Sequence, residues 1–560
     1  MKLLRKLSLQ LALLLSFSVI TAQSQAQSDP TGESPVTTTF VLKNATVVTQ
    51  PGNEMTGTTV VIKNGLIQSV GKNVKIPTDA EEIDATDMYI YAAFIDGMSN
   101  AAATRPENPE RPRDLFTPDP PNAYAGITPE KSVIDQLDIT SKDFEDMRKA
   151  GFGLSHVVPY GRMLPGSGAL VLMGSGKHID EVILQKDKAL FAQWIGAPGA
   201  YPGNILGIMA KWRNLYRNAE NRKEHVEMYA QNPSGIQRPE KDRVSEAFFP
   251  VISQQKPVMF DVDGMLDVRR AMRLQNDLGF PLIVAGVEEA WDLVDEFKNS
   301  GTPVFLSLDI PDEPKEIKED DKTAEVEALE KRRLEFYKKQ VEQFGVLANA
   351  GINFGFSTEG TRSNKVLGNI RTLIENGLSE DQALAALTTN PANILGLSKQ
   401  FGTVENGKVA NLIVVTDPVF SKDANIKMVF VDGKKYEYEV KAKTAKGKES
   451  TTIEGEDAIV GSWTYTMNTP GEPQSGKMVI KTENGAYTGY LTSSDGSPDN
   501  IMNNINFRDG ELTFNFTVDA GGQSVDIIVE GLVSGKTYEA EARVDAFNVS
   551  LELTATKDEK

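Results

Sequence analysis

Residues 91–103 read YAAFIDGMSNAAA, a short apolar run that ends at Asp96 and continues into small and polar residues. The run has the length and composition of a buried strand. Met98 and Asn100 follow it, one residue apart, where a strand of an α/β fold meets the loop that carries its site. What these two side chains can do depends on the fold that the surrounding sequence predicts.

Strand-like and helix-like stretches alternate between residues 92 and 400. The strand-like runs are GFGLSHVVPY (151–160), KPVMFDVD (256–263), FPLIVAGV (280–287), TPVFLSL (302–308) and INFGFSTEG (352–360). Amphipathic stretches lie between them, for example residues 265–279 and 327–351. This alternation predicts βα units with parallel strands, and its length fits a (β/α)8 barrel of the TIM type. A doubly wound sheet is the alternative, but no glycine-rich phosphate loop opens a helix after a strand.

β-rich segments flank the predicted barrel on both sides, at residues 40–91 and 401–440. Asn64-Gly65 separates two of the runs and predicts a tight turn. Because the two ends of a domain often lie close together, we expect these segments to pair as one composite β-module. The barrel itself is then expected to span residues 92–400.

A charged linker is expected at residues 441–456, before an antiparallel β domain at residues 457–560 that forms a sandwich or a barrel. Asn484-Gly485 and Asp509-Gly510 each predict a hairpin. The opening Gly461-Ser462-Trp463 is similar to the first strand of lipocalin-like barrels, where the tryptophan plugs one end. An ordinary structural tryptophan is the simpler interpretation.

The first 26 residues have the pattern of a cleavable signal peptide. Lys2, Arg5 and Lys6 precede an apolar run, and a small-residue cleavage site ends at Ala26. The run is too short for a membrane anchor and polar residues follow it, so we expect no membrane span in the mature chain. Residues 27–39 are expected to be a flexible leader. The sequence thus predicts a periplasmic or secreted protein.

Composition excludes several classes of site and partner. The formal net charge of the 560 residues is −19, which argues against a nucleic-acid partner. The chain has no cysteine, so disulfides, zinc–thiolate sites and a cysteine nucleophile are excluded. It has three histidines, namely His156, His178 and His225.

Four segments together resemble the amidohydrolase superfamily, most nearly its imidazolonepropionase-like and related bacterial exported members. They are IDATDMYIYAAFID (83–96), INFGFSTEG (352–360), ALTTNPANILGL (386–397) and FGTVENGKVANLIVV (401–415). The resemblance implies a barrel whose mouth holds one or two divalent metals, which make hydroxide from bound water near neutral pH. It also implies a His-x-His pair after the first strand, two further histidines and a carboxylate after the last strand.

Carried over to this chain, most of those histidines are missing. The His-x-His pair falls on Met98 and Asn100, the next histidine on Asp261, and the fourth near Ala285 or Gly286. The carboxylate falls on Glu359. Three histidines cannot supply four imidazole ligands, so the resemblance implies a degenerate site and we expect no metal ligands and no cofactor.

Glu359 and Asp261 are the catalytic candidates, Glu359 as proton shuttle or ligand. Asp263 follows Asp261 by two residues, so both carboxylates are expected at the mouth. With Glu359 they would make an oxygen-only divalent-metal site, suited to Mg²⁺, Ca²⁺ or Mn²⁺. The alternative is that the two aspartates cap the helix that begins near Met265.

Met98, Asn100, His156, Arg162 and Asp263 are the candidate residues of the pocket. His156 lies on a predicted strand, where a hydrogen-bonded core histidine is the alternative. Arg162 precedes a glycine-rich loop and would contact an anionic substrate, unless this is an ordinary connecting loop. His178 and His225 are expected in solvent.

Two classes of function remain open. One is an exported hydrolase of carbon–nitrogen bonds that acts on a cyclic amide or peptide-like substrate, although fold resemblance alone is a weak warrant for activity. The other is a non-catalytic protein that binds a small-molecule or peptide-like ligand, or an active paralogous amidohydrolase, through the barrel pocket or the C-terminal domain. Catalysis through Asp261, Asp263 and Glu359 without the usual metal is a third possibility.

Overall fold

A computed structural model describes residues 39–107, 109–314 and 323–439, and the strands of the C-terminal region between residues 459 and 558. In that region the described ranges are 459–468, 474–483, 486–493, 500–508, 511–519, 524–544 and 549–558. The chain divides into two compact units, residues 1–440 and 441–560. The expected signal peptide, the linker and the leader, except Thr39, lie outside the described residues.

The first unit mixes strands and helices in the order that the sequence predicts. Its described strands are β1 (Thr39–Gln50), β2 (Asn53–Lys63), β3 (Leu66–Gly71), β4 (Ala80–Asp84), β5 (Tyr89–Ala92), β6 (Phe94–Ser99), β7 (Phe152–Val157), β8 (Gly166–Leu172), β9 (Ile183–Gln193), β10 (Val258–Asp261), β11 (Leu282–Val287), β12 (Val304–Ser307), β13 (Phe354–Ser357), β14 (Leu412–Val415), β15 (Ile426–Val431) and β16 (Lys434–Glu437). Its described α-helices are α1 (Asn122–Ala125), α2 (Asp143–Lys149), α3 (Ile205–Gln231), α4 (Arg243–Glu246), α5 (Phe249–Ile252), α6 (Met265–Leu278), α7 (Val294–Ser300), α8 (Ala324–Asn349), α9 (Val366–Glu375), α10 (Glu380–Leu387) and α11 (Thr389–Ile394). Short 3-10 turns cover Val133–Gln136, Ile179–Glu181 and Ser363–Lys365.

The segments on either side of the barrel form one eight-stranded sheet, in the order β16-β15-β14-β5-β1-β2-β3 with β4 beside β1. The two halves join where β5 pairs antiparallel with β14, with Ala92 opposite Leu412 and Tyr89 opposite Val415. The predicted composite β-module is confirmed. Because β5 leads directly into β6, this sheet fixes the start of the strand that ends at Asp96.

The second eight-stranded sheet runs β6-β7-β8-β9-β10-β11-β12-β13. It returns to its first strand through Met98, whose carbonyl oxygen accepts hydrogen bonds from Thr358 N (3.1 Å) and Ser357 Oγ (2.9 Å). Helices cover its outer face, for example α8, whose Phe344 ring meets the Phe354 and Phe356 rings at about 6 Å. The predicted (β/α)8-type barrel is confirmed.

One strand departs from the expected parallel alternation. β8 runs antiparallel to both β7 and β9. Residues 158–165 connect β7 to β8, which is too short for the crossover of a dozen or more residues that a parallel neighbour needs. The expectation of parallel strands throughout is therefore wrong at β8, and the short connection leaves no helix between β7 and β8.

Local signals explain where the helices after the barrel begin and end. Ser379 and Gln382 form a capping box at the start of α10, in which each side chain accepts a hydrogen bond from the other residue's backbone N–H. The next helix, α11, contains Asn390-Pro391 and is followed by Gly396 at φ 66°. Among the described residues, no helix is both long and apolar enough to cross a bilayer.

Glycines in the barrel interior make room for two large side chains. A Cβ on Gly97 would lie 2.0 Å from the Phe305 ring, and one on Gly355 would lie 2.6 Å from the same ring. A Cβ on Gly168 would lie 2.6 Å from His156 Nε2. Close packing leaves no slack for these additions, so Phe305 and His156 occupy their places because the facing residues are glycines.

The second unit is a closed antiparallel barrel in which each strand pairs with its neighbours in sequence and the last with the first. Its strands are β17 (Gly461–Met467), β18 (Gln474–Glu483), β19 (Ala486–Ser493), β20 (Asn500–Arg508), β21 (Glu511–Asp519), β22 (Ser524–Ser534), β23 (Thr537–Val544) and β24 (Val549–Lys557). The predicted all-β domain is a barrel and not a sandwich. Trp463 is fully buried in it and donates a hydrogen bond to Ile459 O at 2.9 Å.

Candidate functional site

The ends of three barrel strands meet at one point. A Cβ on Gly286 would lie 2.6 Å from Asp261 Oδ1 and 3.2 Å from Met98 Cε. Gly286 belongs to β11, Asp261 ends β10 and Met98 lies on β6. The structure therefore brings together three of the positions onto which the resemblance places histidine ligands, since Gly286 is one of the two residues, Ala285 or Gly286, for the last of them.

The groups at this point do not suit the metal that the resemblance implies. Methionine offers only a soft thioether, glycine offers no side chain, and zinc sites in hydrolases use imidazole and carboxylate ligands. The Asn100 amide is already used, because its Nδ2 donates to Val158 O at 2.9 Å. Within the described part of the chain, no three or more His, Asp or Glu side chains are placed to hold a metal ion.

The Asp96 side chain, on β6, is hydrogen-bonded to Ser155 on β7 and to Thr358, the residue after β13. Its fully buried carboxylate accepts hydrogen bonds from Ser155 Oγ (2.8 Å), Thr358 Oγ1 (2.9 Å) and Thr358 N (3.0 Å). Burial raises the pKa of Asp96 to about 6, although the hydrogen bonds act against the shift. Sequence reasoning missed this role, for which the available signal was an aspartate at the end of an otherwise apolar strand.

Glu359 and Asp261 carry the most perturbed carboxyls of the mouth. Burial raises the pKa of Glu359 to about 7, and the nearby Asp96 and Asp263 charges add to the shift. Burial, followed by the charges of Glu359, Asp263 and Glu288, holds the pKa of Asp261 well above its usual range. The two candidates thus lie in one acidic cluster, where a shared negative charge favours keeping protons.

Asp261, which ends β10, and Asp263 do not cap the following helix. The N-cap of α6 is Gly264, and no side chain makes a cap hydrogen bond there. Asp263 instead uses its backbone carbonyl, which accepts from the N–H groups of Glu288 (2.9 Å) and Glu289 (3.2 Å). The capping interpretation is therefore wrong, and burial together with Asp267 raises the pKa of the Asp263 carboxyl.

His156 is fully buried in the barrel interior, packed against Gly168. Its ring nitrogens make no hydrogen bond of normal geometry among the described residues. Burial lowers the pKa of His156 to about 4, so the ring is neutral at pH 7. The structure places this histidine in the core packing, with its ring against Gly168.

Arg162, in the connection between β7 and β8, contacts Tyr124 on α1. Its Nη1 donates to Tyr124 O at 2.8 Å, and its guanidinium lies 6.0 Å from the centre of the Tyr124 ring. The remaining histidines lie elsewhere: His178 precedes the 3-10 turn at Ile179–Glu181, and His225 Nε2 donates to Gln237 O at 2.9 Å. The structure thus brings Met98, Asp261, Asp263 and Glu359 together, whereas Arg162, His178 and His225 contact other residues.

The raised carboxyl pKa values predict that the first unit is more stable in mild acid than at neutral pH. Asp96 and Glu359 keep protons in the folded state up to pH about 6 and about 7, whereas their ordinary values are 3.8 and 4.5. Between those limits the folded state binds more protons than the unfolded chain, so stability falls as pH rises. We expect a higher urea midpoint at pH 5.5 than at pH 7.5, with a smaller difference in Glu359→Gln. An unchanged difference would mean that Glu359 does not contribute.

The first unit, which contains the barrel and the composite β-module, is similar to known proteins over most of its length. The model of the amidohydrolase family matches residues 206–436. The match confirms the resemblance predicted from the sequence and relates the chain to hydrolases of carbon–nitrogen bonds.

One solved structure supports the assignment of the fold. An amidohydrolase from Thermotoga maritima superposes with a TM-score of 0.59 at 21% identity, over 71% of this chain and 100% of that one. A prolidase complexed with N-methylphosphonate-L-proline gives 0.43 at 16% identity over 72% and 100%. A prolidase described as putative, from Bifidobacterium longum, gives 0.41 at 15% over 72% and 95%. Comparison with curated proteins finds no significant match.

Proposed function

We propose that this is an exported protein of the amidohydrolase fold whose barrel mouth binds a small amide-containing or peptide-like ligand without a resident catalytic metal. One observation carries the proposal: a Cβ placed on Gly286 would lie within 3.2 Å of side-chain atoms of both Met98 and Asp261. A thioether, a carboxyl and a glycine there cannot replace imidazole ligands.

The same carboxyls supply what an amide ligand needs. A protonated carboxyl donates a hydrogen bond through its O–H and accepts one through its carbonyl, which complements the C=O and N–H of an amide. The raised pKa values of Glu359 and Asp261 favour that protonated form. Asp263 lies within electrostatic range of both and adds polar surface at the entrance.

A second candidate function is metal-independent hydrolysis of the bound amide, and the proximity of Asp261 to Glu359 favours it. One carboxylate would take a proton from the attacking water while the other, protonated, gives its proton to the leaving amine. A C–O bond forms and the C–N bond breaks. The carboxylate that took the water proton ends protonated, and the carboxyl that gave its proton to the amine ends ionised. Glu359, whose pKa is about 7, is suited to either step near neutral pH.

Metal analysis of the full-length protein, purified without chelators, tests the metal-free mouth. We expect zinc and manganese well below ~0.1 equivalent per chain, because imidazole ligands are absent from the meeting point. Protein incubated with zinc and desalted serves as the control for weak surface binding. One or two equivalents retained after desalting would contradict the proposal.

Turnover separates binding from acid–base hydrolysis. On a panel of dipeptide amides and cyclic amides, the binding function predicts hydrolysis no faster than the buffer blank. If hydrolysis occurs, Glu359→Gln should reduce kcat by about 100-fold or more. Glu405→Gln, on the exposed surface of the composite module, is the matched control. Activity that survives Glu359→Gln would remove this carboxyl from the reaction.

The proposal also includes export of the protein and a partner protein. The basic and apolar start of the chain supports cleavage after Ala26 and a periplasmic or secreted location. An active paralogous amidohydrolase is the partner that fits a barrel which keeps its fold while losing its metal ligands. Mass spectrometry of the secreted or periplasmic protein should find a mature chain beginning at Gln27.

A further inference from the structure

A cavity of about 420 Å³ opens beside the barrel mouth, between the ends of β11 and β12 and one face of α8. Its volume is within the range of small-molecule sites in proteins. The residues that matter for its chemistry are Glu288, Asp309, Ile310, Arg333, Phe336 and Tyr337. No role was predicted for any of these residues from the sequence.

One wall of the cavity is apolar and aromatic. Phe336 exposes 45% of its surface, and its ring is held in place by the Trp291 ring, edge to face at 5.6 Å. Tyr337, the next residue on α8, is buried beside it, and Ile310 with Pro311 extends the wall. An exposed aromatic ring held rigid beside a cavity is a surface on which a ligand can pack at little entropic cost.

The opposite wall is acidic. Glu288 follows β11, and burial followed by the Asp263 and Asp309 charges raises the pKa of its carboxyl. Asp312 also lines the cavity. Burial raises the pKa of the Tyr337 phenol, and the charges of Glu313 and Asp312 add to this shift. Three carboxyls therefore face one guanidinium, that of Arg333, and the local field favours a positive charge.

Two residues of the cavity lie close to residues of the proposed amide site. Asp309 Oδ2 lies 3.0 Å from the position of a Cβ on Gly360, the residue after Glu359. Glu288 interacts electrostatically with Asp261 across the mouth. A ligand whose amide meets Glu359 could thus extend its other end into the cavity.

We propose that this cavity binds the ammonium end of an organic cation that carries an apolar body, with the charge at Glu288 and Asp309 and the body against Phe336. Carboxylates and an aromatic face together favour a primary amine over a neutral or anionic group. The inference rests on the proposed function in one respect, since it treats the mouth as a ligand site. It narrows the ligand to an amine-bearing amide, such as a peptide with a free N-terminus.

Isothermal titration of the full chain with L-phenylalaninamide tests this inference, because the probe has an ammonium group, a benzyl group and an amide. We expect saturable binding that weakens about tenfold or more in Phe336→Ala and in Asp309→Asn. Leu329→Ala, at a residue on the same helix that is 49% exposed and outside the cavity, is the matched control and should bind as the native protein does. N-acetyl-L-phenylalaninamide, which lacks the charge, and glycinamide, which lacks the apolar body, should each bind at least about tenfold more weakly.

The outcomes separate this inference from the proposed function. Equal binding of the acetylated probe, undiminished binding by Phe336→Ala, or no binding to the native chain overturns the cation site. Retained zinc with selective, Phe336-dependent binding of phenylalaninamide would overturn the metal-free mouth and leave the cation site standing. Metal-free protein that does not bind phenylalaninamide would overturn the cation site and leave the metal-free mouth standing.

Discussion

Replacing Gly97 by alanine is expected to destabilise the first unit by about 3 kcal/mol, near the upper end for an overpacked core. The new Cβ would lie 2.0 Å from Cδ1 and 2.3 Å from Cε1 of the Phe305 ring. Phe305 is fully buried, and Gly355 packs against the same Cδ1–Cε1 edge of its ring. The ring has no free volume to enter, so the strand that bears Asp96 and Met98 must shift.

Urea unfolding followed by circular dichroism measures this effect. Gly368→Ala is the matched control, because its Cβ would meet nothing within 4 Å, and a helix interior favours alanine over glycine. In a double-mutant cycle, Phe305→Ala should recover much of the loss in Gly97→Ala, although each substitution alone is destabilising. Purely additive effects would show that the ring is not the obstacle.

Replacing Trp463 by alanine is expected to destabilise the second unit by about 4 kcal/mol. The indole is fully buried, donates to Ile459 O at 2.9 Å, and has Lys557 Nζ 5.5 Å from its ring centre. Lys557 ends β24, which pairs with β17, so the tryptophan packs where the barrel closes on itself. Its removal leaves a large cavity at that seam.

Thermal unfolding of the full chain, followed by near-ultraviolet circular dichroism, should show the transition of the second unit at a lower temperature. Trp463→Phe is the conservative comparison: it keeps most of the ring and loses the hydrogen bond, so the expected cost is about 1 kcal/mol. If alanine and phenylalanine cost the same, the hydrogen bond and not the packing would carry the stability.

Periodic patterns predicted the architecture well because they depend on near neighbours. Alternating runs predicted the barrel strands, and the two flanking segments predicted one composite β-module, whose halves the structure joins through β5 and β14. The antiparallel β8 was missed because the glycines after Arg162 were assigned to a loop, whereas Gly166–Leu172 is a strand.

The site was predicted only in part, since its residues come together from distant strands. Asp261 and Glu359 were expected at the mouth, and their pKa values are linked by proximity. The roles of Asp96, which receives hydrogen bonds from two other strands, and of Phe305, which fills the space over Gly97, could not be derived from local sequence. The cavity beside Phe336 depends on where a helix packs against two strand ends.

The sequence by itself determined which chemistry is available: no cysteine, three histidines, and Met98 and Asn100 where FID ends. Those are properties of composition and order, which folding does not alter. The tertiary structure alone decided which groups meet. It set Met98 against Asp261 and Gly286, kept His156 in the core, and placed an aromatic wall opposite Glu288 and Asp309. Such meetings depend on barrel closure and strand register, which fix distances between residues far apart in the chain.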